Sequence, residues 1–182
     1  MRLAWCITGS GDKVKETVEV MEELKARWGG SLEVHVYLSK AGAQVAKYYG
    51  LDERLRAFDS LHTEKDANTP FLAGQLQLGR FKALLVAPAT GNTVAKLAAG
   101  IADTLVTNAA IQAVKGFVDV FVMPVDLHEG EVETTLPSGR TLRLRVRRED
   151  AENARRLAAM EGFHVFGEPR EIRGVVEGLM GG

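Results

Sequence analysis

The sequence predicts an α/β fold: a three-layer α/β/α arrangement around a parallel sheet, with a β-hairpin appended toward the C-terminus. Three observations carry this. Short apolar runs alternate with segments of helical periodicity. Glycines punctuate the joins, 19 of them in 182 residues against 5 prolines. Residues 131–148 break the alternation with two strand-like segments around Pro137-Ser138-Gly139.

Leu3 to Ile7 is a short apolar run that reads as a buried strand, ending in Thr8-Gly9-Ser10-Gly11. From Asp12 the apolar positions Val14, Val18, Met21 and Trp28 share one helical face, and Gly29-Gly30 stops the helix. Leu32 to Leu38 is a second strand, rich in β-branched and aromatic residues; Ser39 follows it, and Ala41 to Tyr49 reads as helix. Strand, helix and strand in this order imply a right-handed crossover and parallel pairing. Leu51 to Pro70 is polar and weakly periodic, with a short strand expected near Leu55 to Phe58. Phe71 to Leu78 reads as a short helix and Ala83 to Ala87 as a buried strand, followed by Pro88-Ala89-Thr90-Gly91-Asn92-Thr93. Two helical segments, Val94 to Ala102 and Asp103 to Val114, precede a strand at Val118 to Met123. Gly139 at the left-handed position of a three-residue loop sets the hairpin register, with Glu133 opposite Arg143, Val132 opposite Leu144 and Glu131 opposite Arg145. A helix from Glu149 to Met160, a strand at Phe163 to Phe166 and a helix from Ile172 to Met180 complete a Rossmann-like chain.

Composition bounds the function. The chain carries 23 Lys and Arg against 24 Asp and Glu, a net charge of -1, which argues against nucleic-acid binding by bulk charge. No apolar run approaches the ~18 residues of a membrane span. Met1 to Gly11 lacks the pattern of a signal peptide, so a cytoplasmic location is expected. One cysteine, Cys6, excludes an intramolecular disulfide and an iron–sulfur cluster carried by this chain alone. His35, His62, His128 and His164 are scattered without metal-ligand spacing, and no metal site is expected.

Two loops carry the chemical signal. Glycines in Thr8-Gly9-Ser10-Gly11 let backbone N–H groups face an anion at a helix start, and Ser10 adds a hydroxyl; a tight connecting turn accounts for the same residues. The dinucleotide fingerprint asks for a third glycine where Val14 stands, and for an acidic residue after the second strand, where Ser39 stands. The loop therefore suits a mononucleotide better than a dinucleotide. In Pro88 to Thr93, Thr90 and Thr93 offer hydroxyls, Asn92 an amide and Gly91 a close backbone approach. A capping residue explains Asn92 or Thr93 alone, but not this density of small polar groups at a second strand end. In open parallel sheets ligands sit outside those ends.

The run Pro88-Ala89-Thr90-Gly91-Asn92-Thr93, continued by Ala95-Lys96-Leu97-Ala98 and Gly100-Ile101-Ala102-Asp103, resembles the signature of the homo-oligomeric flavin-containing cysteine decarboxylases. There a Pro-Ala-Ser-Ala-Asn-Thr loop and a helix ending in Gly-Ile-Ala-Asp bind flavin mononucleotide (FMN). The resemblance covers most of residues 1–125. It implies one flavoprotein domain over residues 1–182, FMN as cofactor, and homotrimers with flavin at subunit interfaces, units from which larger assemblies can be built. It assigns Thr8, Gly9, Ser10, Gly11, Ser39, Ala89, Thr90, Asn92 and Thr93 to the cofactor, and places Thr107 to Ala109, including Asn108, near the isoalloxazine ring.

The departures concern the reaction. The decarboxylases' catalytic histidine has no counterpart between Phe71 and Phe81, where Gly74 and Gln75 stand, and their substrate clamp is reduced here to Pro124 with Asp126 near the Asn position. Decarboxylase or prenyltransferase chemistry on the same scaffold is therefore the runner-up. The hairpin and the run from Val146 to Gly162 look like the archaeoflavoprotein and acceptor-type dihydromethanopterin reductase branch. That likeness implies electron transfer through FMN, with a dihydropterin substrate or a small redox protein such as ferredoxin as partner. Asp126 and His128 follow the strand ending at Met123 and are the candidates for proton transfer, though a surface-loop role is the plainer reading of each. Arg140, Arg143, Arg145, Arg147 and Arg148 fit docking of an acidic partner or of a pterin's glutamyl tail. Glu131 and Glu133 neutralise much of that face, so a solvated hairpin is the plainer reading.

Overall fold

A computed structural model describes residues 1–181. In chain order its strands are β1 (Arg2–Ile7), β2 (Glu33–Leu38), β3 (Ser60–Thr63), β4 (Ala83–Ala89), β5 (Val120–Pro124), β6 (Gly130–Thr135), β7 (Thr141–Val146) and β8 (Phe163–Val165). Its helices are α1 (Val14–Trp28), α2 (Lys40–Tyr48), α3 (Asp52–Arg56), α4 (Leu72–Gln77), α5 (Gly91–Ala98), α6 (Leu105–Lys115), α7 (Arg148–Ala158) and α8 (Ile172–Gly181). Six strands form one parallel sheet in the order β3-β2-β1-β4-β5-β8, the doubly wound order in which strand sequence reverses between β1 and β4.

Alternation along the strands divides the core. Leu3, Trp5 and Ile7 of β1 join Leu85 and Ala87 under α1 and α8, with Val18, Met21, Leu24, Ile172 and Val176. Ala4 and Cys6 join Leu84, Val86, Val120 and Val122 on the opposite face, under α4 to α7. Strands buried on both faces read as continuous apolar runs, which is why β1 and β4 are legible without any polar alternation. Cys6 is fully buried, and burial pushes its thiol well above the ordinary range. No described helix is long and apolar enough to cross a membrane.

The segment after α2 differs from expectation. Leu55 to Phe58 is not a strand: Asp52–Arg56 forms α3, and the strand lies later, at Ser60–Thr63. Asp52-Glu53-Arg54 are adequate helix formers with carboxylates in the first turn, and Leu55 alone is buried. β3 is a four-residue sheet edge, half-exposed from Ser60 to His62 and exposed at Thr63, so it shows no alternation to read. α5 also starts earlier than Val94, because Thr90 is its cap rather than part of a loop. The segment read as a second helix from Asp103 is capped by Thr104 and begins at Leu105.

The hairpin β6–β7 pairs antiparallel in the expected register, Glu131 with Arg145, Val132 with Leu144 and Glu133 with Arg143. Its closing turn places Gly139 at φ 83°, a left-handed value that a Cβ disfavours.

Candidate functional site

The site forms at the C-terminal ends of β1, β2 and β4, around the point where strand order reverses. Pairing between β4 and β5 shifts between Val86 and Ala89. The carbonyls freed there take side-chain donors. The Trp5 indole donates to Ala87 O at 2.7 Å, and the Thr8 hydroxyl donates to Pro88 O at 2.9 Å. Thr8 Oγ1 also accepts the Thr90 N–H at 2.9 Å. Buried Thr8 thus joins the two glycine-containing loops into one floor.

Each loop leads into a helix start. Ser39 caps α2, its hydroxyl oxygen accepting the Gly42 N–H at 2.9 Å. Thr90 caps α5, accepting the Thr93 N–H at 3.3 Å, and its hydroxyl lies 3.0 Å from that of Thr93. Ser10 Oγ accepts the Asp12 N–H at 3.2 Å, while the N–H groups of Gly9, Ser10 and Gly11 have no protein acceptor among the described residues. A Cβ on Gly9 would lie 2.6 Å from that of Ala41, so glycine here lets α2 approach the loop. Three successive open N–H groups beside two capped helix starts suit a phosphate monoester.

Two chambers meet at this floor and share Gly9 and Thr90. The first, about 490 Å³, is lined by Thr8, Gly9, Ser39, Thr90, Asn92 and Thr93 together with Lys40, Glu64, Asp103, Thr104 and Val106. The second, about 470 Å³, runs from Ser10, Gly11 and Asp12 past Tyr49 and Asp126 to the hairpin, where Val132, Leu142 and Leu144 form an apolar roof.

The structure brings Thr8, Gly9, Ser10, Gly11, Ser39, Thr90, Asn92 and Thr93 together, with buried Ala89 ending β4 behind them. Asn108 and Ala109 stand apart from the chambers. The Asn108 amide donates to Ala67 O at 2.9 Å and to Asn68 Oδ1 at 3.1 Å, holding the 66–69 turn, and Ala109 is packed in the core. Thr104 and Val106 of the same region reach the cleft instead. Asp126 and His128 separate as well. Asp126 is in the second chamber, whereas His128 lies in a groove between α7 and β8 with Ala151, Ala154 and Arg155.

Glu64 also belongs to the site, although no motif in the sequence marks it. Its carboxylate accepts the Lys40 N–H and the Leu105 N–H, both at 2.9 Å, and so links the starts of α2 and α6 across the cleft. It directly follows β3, the strand that the sequence pattern misplaces, so no signal located it at a strand end.

Charge in the second chamber is acidic. Burial, then the neighbouring Asp150 charge, raises the Asp126 carboxyl above its ordinary value, against the lowering influence of the nearby Gly91 N–H. Burial also raises Asp12. Asp150 moves the other way: Arg147 holds it below the ordinary range through two hydrogen bonds, at 2.8 and 2.7 Å.

Comparison with known proteins adds to this geometry. Residues 1–175 match the model of a family described as Flavoprotein. An uncharacterized protein of Methanocaldococcus jannaschii is 48% identical over 177 residues, covering 97% of this chain and 94% of that protein. A dihydromethanopterin reductase (acceptor) of the same organism is 34% identical over 233 aligned positions, covering 94% of each. Among solved structures, Burkholderia xenovorans DmrB in complex with FMN, described as a cubic protein cage for redox transfer, has a TM-score of 0.83 and 32% identity, covering 99% of this chain and 95% of its own.

Proposed function

We propose that this chain, which belongs to the Flavoprotein family, is an FMN-dependent oxidoreductase that passes electrons to a dihydropterin. One observation carries the reading: the strand-end loops of β1, β2 and β4 converge on a single floor with open N–H groups, and a second chamber adjoins it. The dihydromethanopterin reductase and the FMN-bound redox cage among its relatives support it.

The residues present fit FMN. The N–H groups of Gly9, Ser10 and Gly11, with the hydroxyls of Ser10 and Ser39, would hold the phosphate, whose charge the starts of α2 and α5 favour. Thr90, Asn92 and Thr93 supply hydroxyls and an amide for a ribityl chain. When bound, flavin supplies two-electron hydride chemistry and one-electron exchange; the protein supplies binding, orientation and local charge.

Electrons would arrive from a small redox protein such as a ferredoxin, since one buried cysteine gives this chain no cluster of its own. Arg140 and Arg145 of the hairpin, without an ion-pair partner among the described residues, are the contacts we assign to an acidic donor. The assembly is a homo-oligomer built on trimers, in a cytoplasmic setting.

Ser10→Ala together with Asn92→Ala is expected to purify with less than half the wild-type FMN, read from absorbance and extracted flavin; full stoichiometric loading would overturn the binding assignment. Photoreduced wild-type protein is expected to be reoxidised by 7,8-dihydropterin under anaerobic conditions. Reoxidation by ferredoxin alone would identify an electron carrier instead.

A further inference from the structure

Asp126 stands beside the cofactor cleft. Its side chain lines the chamber that shares Gly9 and Thr90 with the cofactor cleft, so a ligand in that chamber lies against both. The hairpin roofs the chamber with Val132, Leu142 and Leu144, and Val132 and Leu144 remain 37% and 49% exposed although they face it. That leaves apolar surface for a flat heterocycle to cover. Behind Asp126 stands Gly91, the first residue of α5. A Cβ there would lie 2.8 Å from Asp126 Oδ2 and 3.1 Å from Asp150 Oδ1, so the two carboxylates converge on one glycine. Arg147 clamps Asp150 with two hydrogen bonds and leaves Asp126 without an ion-pair partner among the described residues.

Resting on the reading of this protein as a dihydropterin reductase, we propose that Asp126 delivers the proton to the substrate nitrogen during reduction, with the Arg147–Asp150 pair as its positioning partner. The step balances as follows. The carbon of the substrate C=N bond accepts a hydride from reduced flavin, which is left oxidised. The π bond breaks toward nitrogen, and the nitrogen takes the Asp126 carboxyl proton to form N–H. Water then returns a proton to the carboxylate. Two neighbouring carboxylates whose surroundings push their proton affinities apart are a usual arrangement for dividing acid and base roles. The groups facing Asp126 are Asp150 and Arg147, Asp12 from the first loop, and Arg145 and Tyr49 across the chamber. Burial has the largest effect on its affinity for the proton; Asp150 raises that affinity further and Arg147 lowers it.

The experiment compares reduction of 7,8-dihydropterin, which needs a proton, with reduction of ferricyanide, which does not. In photoreduced Asp126→Asn protein the dihydropterin rate divided by the ferricyanide rate is expected to fall about 10²-fold or more. The alkaline limb of dihydropterin reduction is expected to move to lower pH in Asp150→Asn and to higher pH in Arg147→Gln, because the first removes the charge that raises Asp126 and the second the charge that lowers it. In the flavin-free protein, ¹³C NMR of the Asp126 carboxyl should show titration above the ordinary 3.8 and a downward move in Asp150→Asn. An unchanged rate ratio, an unmoved limb, or titration at or below the ordinary value would each overturn the role of Asp126 while leaving dihydropterin reduction intact. Wild-type protein that reduces ferricyanide but no dihydropterin would instead overturn the substrate reading, and this role with it.

Discussion

Asp126 and Asp150 contribute to stability with opposite signs. Burial and the Asp150 charge raise Asp126 in the folded protein, so the folded state holds this proton to a higher pH than the unfolded chain does. The resulting penalty on folding is absent below the ordinary value of 3.8, grows as pH rises toward the folded-state value, and stands in full above it. Asp126→Asn is therefore expected to have a higher thermal midpoint than wild type at pH 7, the difference closing below about pH 4. Calorimetry across that range would check it; a lower midpoint at pH 7 would contradict the sign. The stabilisation from Asp150 is present above 3.8 and is lost as pH falls through its lowered value. Sequence could show an Asp at each position but not this pairing, which depends on α7 returning to the start of α5. The loop residues were more legible. Gly9, Ser10, Thr90 and Thr93 adjoin strands that are buried on both faces and therefore easy to recognise, whereas Glu64 adjoins an edge strand that is not.

Elements were readable in proportion to how much of their surface is buried. β1, β4 and α1 carry long apolar patterns. α3 and β3 are four or five residues long, and one buried leucine in α3 sets no period. The hairpin is legible for another reason: its turn chemistry and charge pairing are local, so no tertiary contact is needed to specify the register. Its strands are largely exposed, and a two-stranded unit of this kind adds little to global stability. Replacing residues 131–145 by a short Gly-Ser turn is expected to shift the thermal midpoint by less than about 4 °C while removing the roof of the Asp126 chamber and weakening dihydropterin binding. A fall of more than about 10 °C would show that the hairpin supports the fold itself.

At the scale of the whole molecule, the strand order follows from right-handed crossovers on either side of β1, and the doubly wound class was legible from alternation alone. The assembly was not, because its candidate surfaces are single apolar residues at element ends. Phe71 and Leu78 flank α4 at 73% and 72% exposure, and Phe117 is fully exposed. Single exposed apolar residues are common on protein surfaces, but Phe71 and Leu78 at the two ends of one short helix make α4 the surface to test for contacts between chains. The wild-type protein is expected to sediment as a multiple of its 19.8 kDa chain, and Phe71→Glu with Leu78→Glu to shift it toward the monomer. An unchanged distribution would remove α4 from the interface.

The solitary buried cysteine has a practical consequence. With Cys6 sealed inside β1 and its thiol held protonated, a maleimide added to the native protein finds nothing to modify. A cysteine engineered at the hairpin tip would then carry the sole fluorophore or spin label in each subunit. Distances between copies, and hairpin motion over the chamber, become measurable without first removing a native thiol. The same sealed sulfur reports opening of the sheet in reverse, since it reacts only when β1 leaves its neighbours.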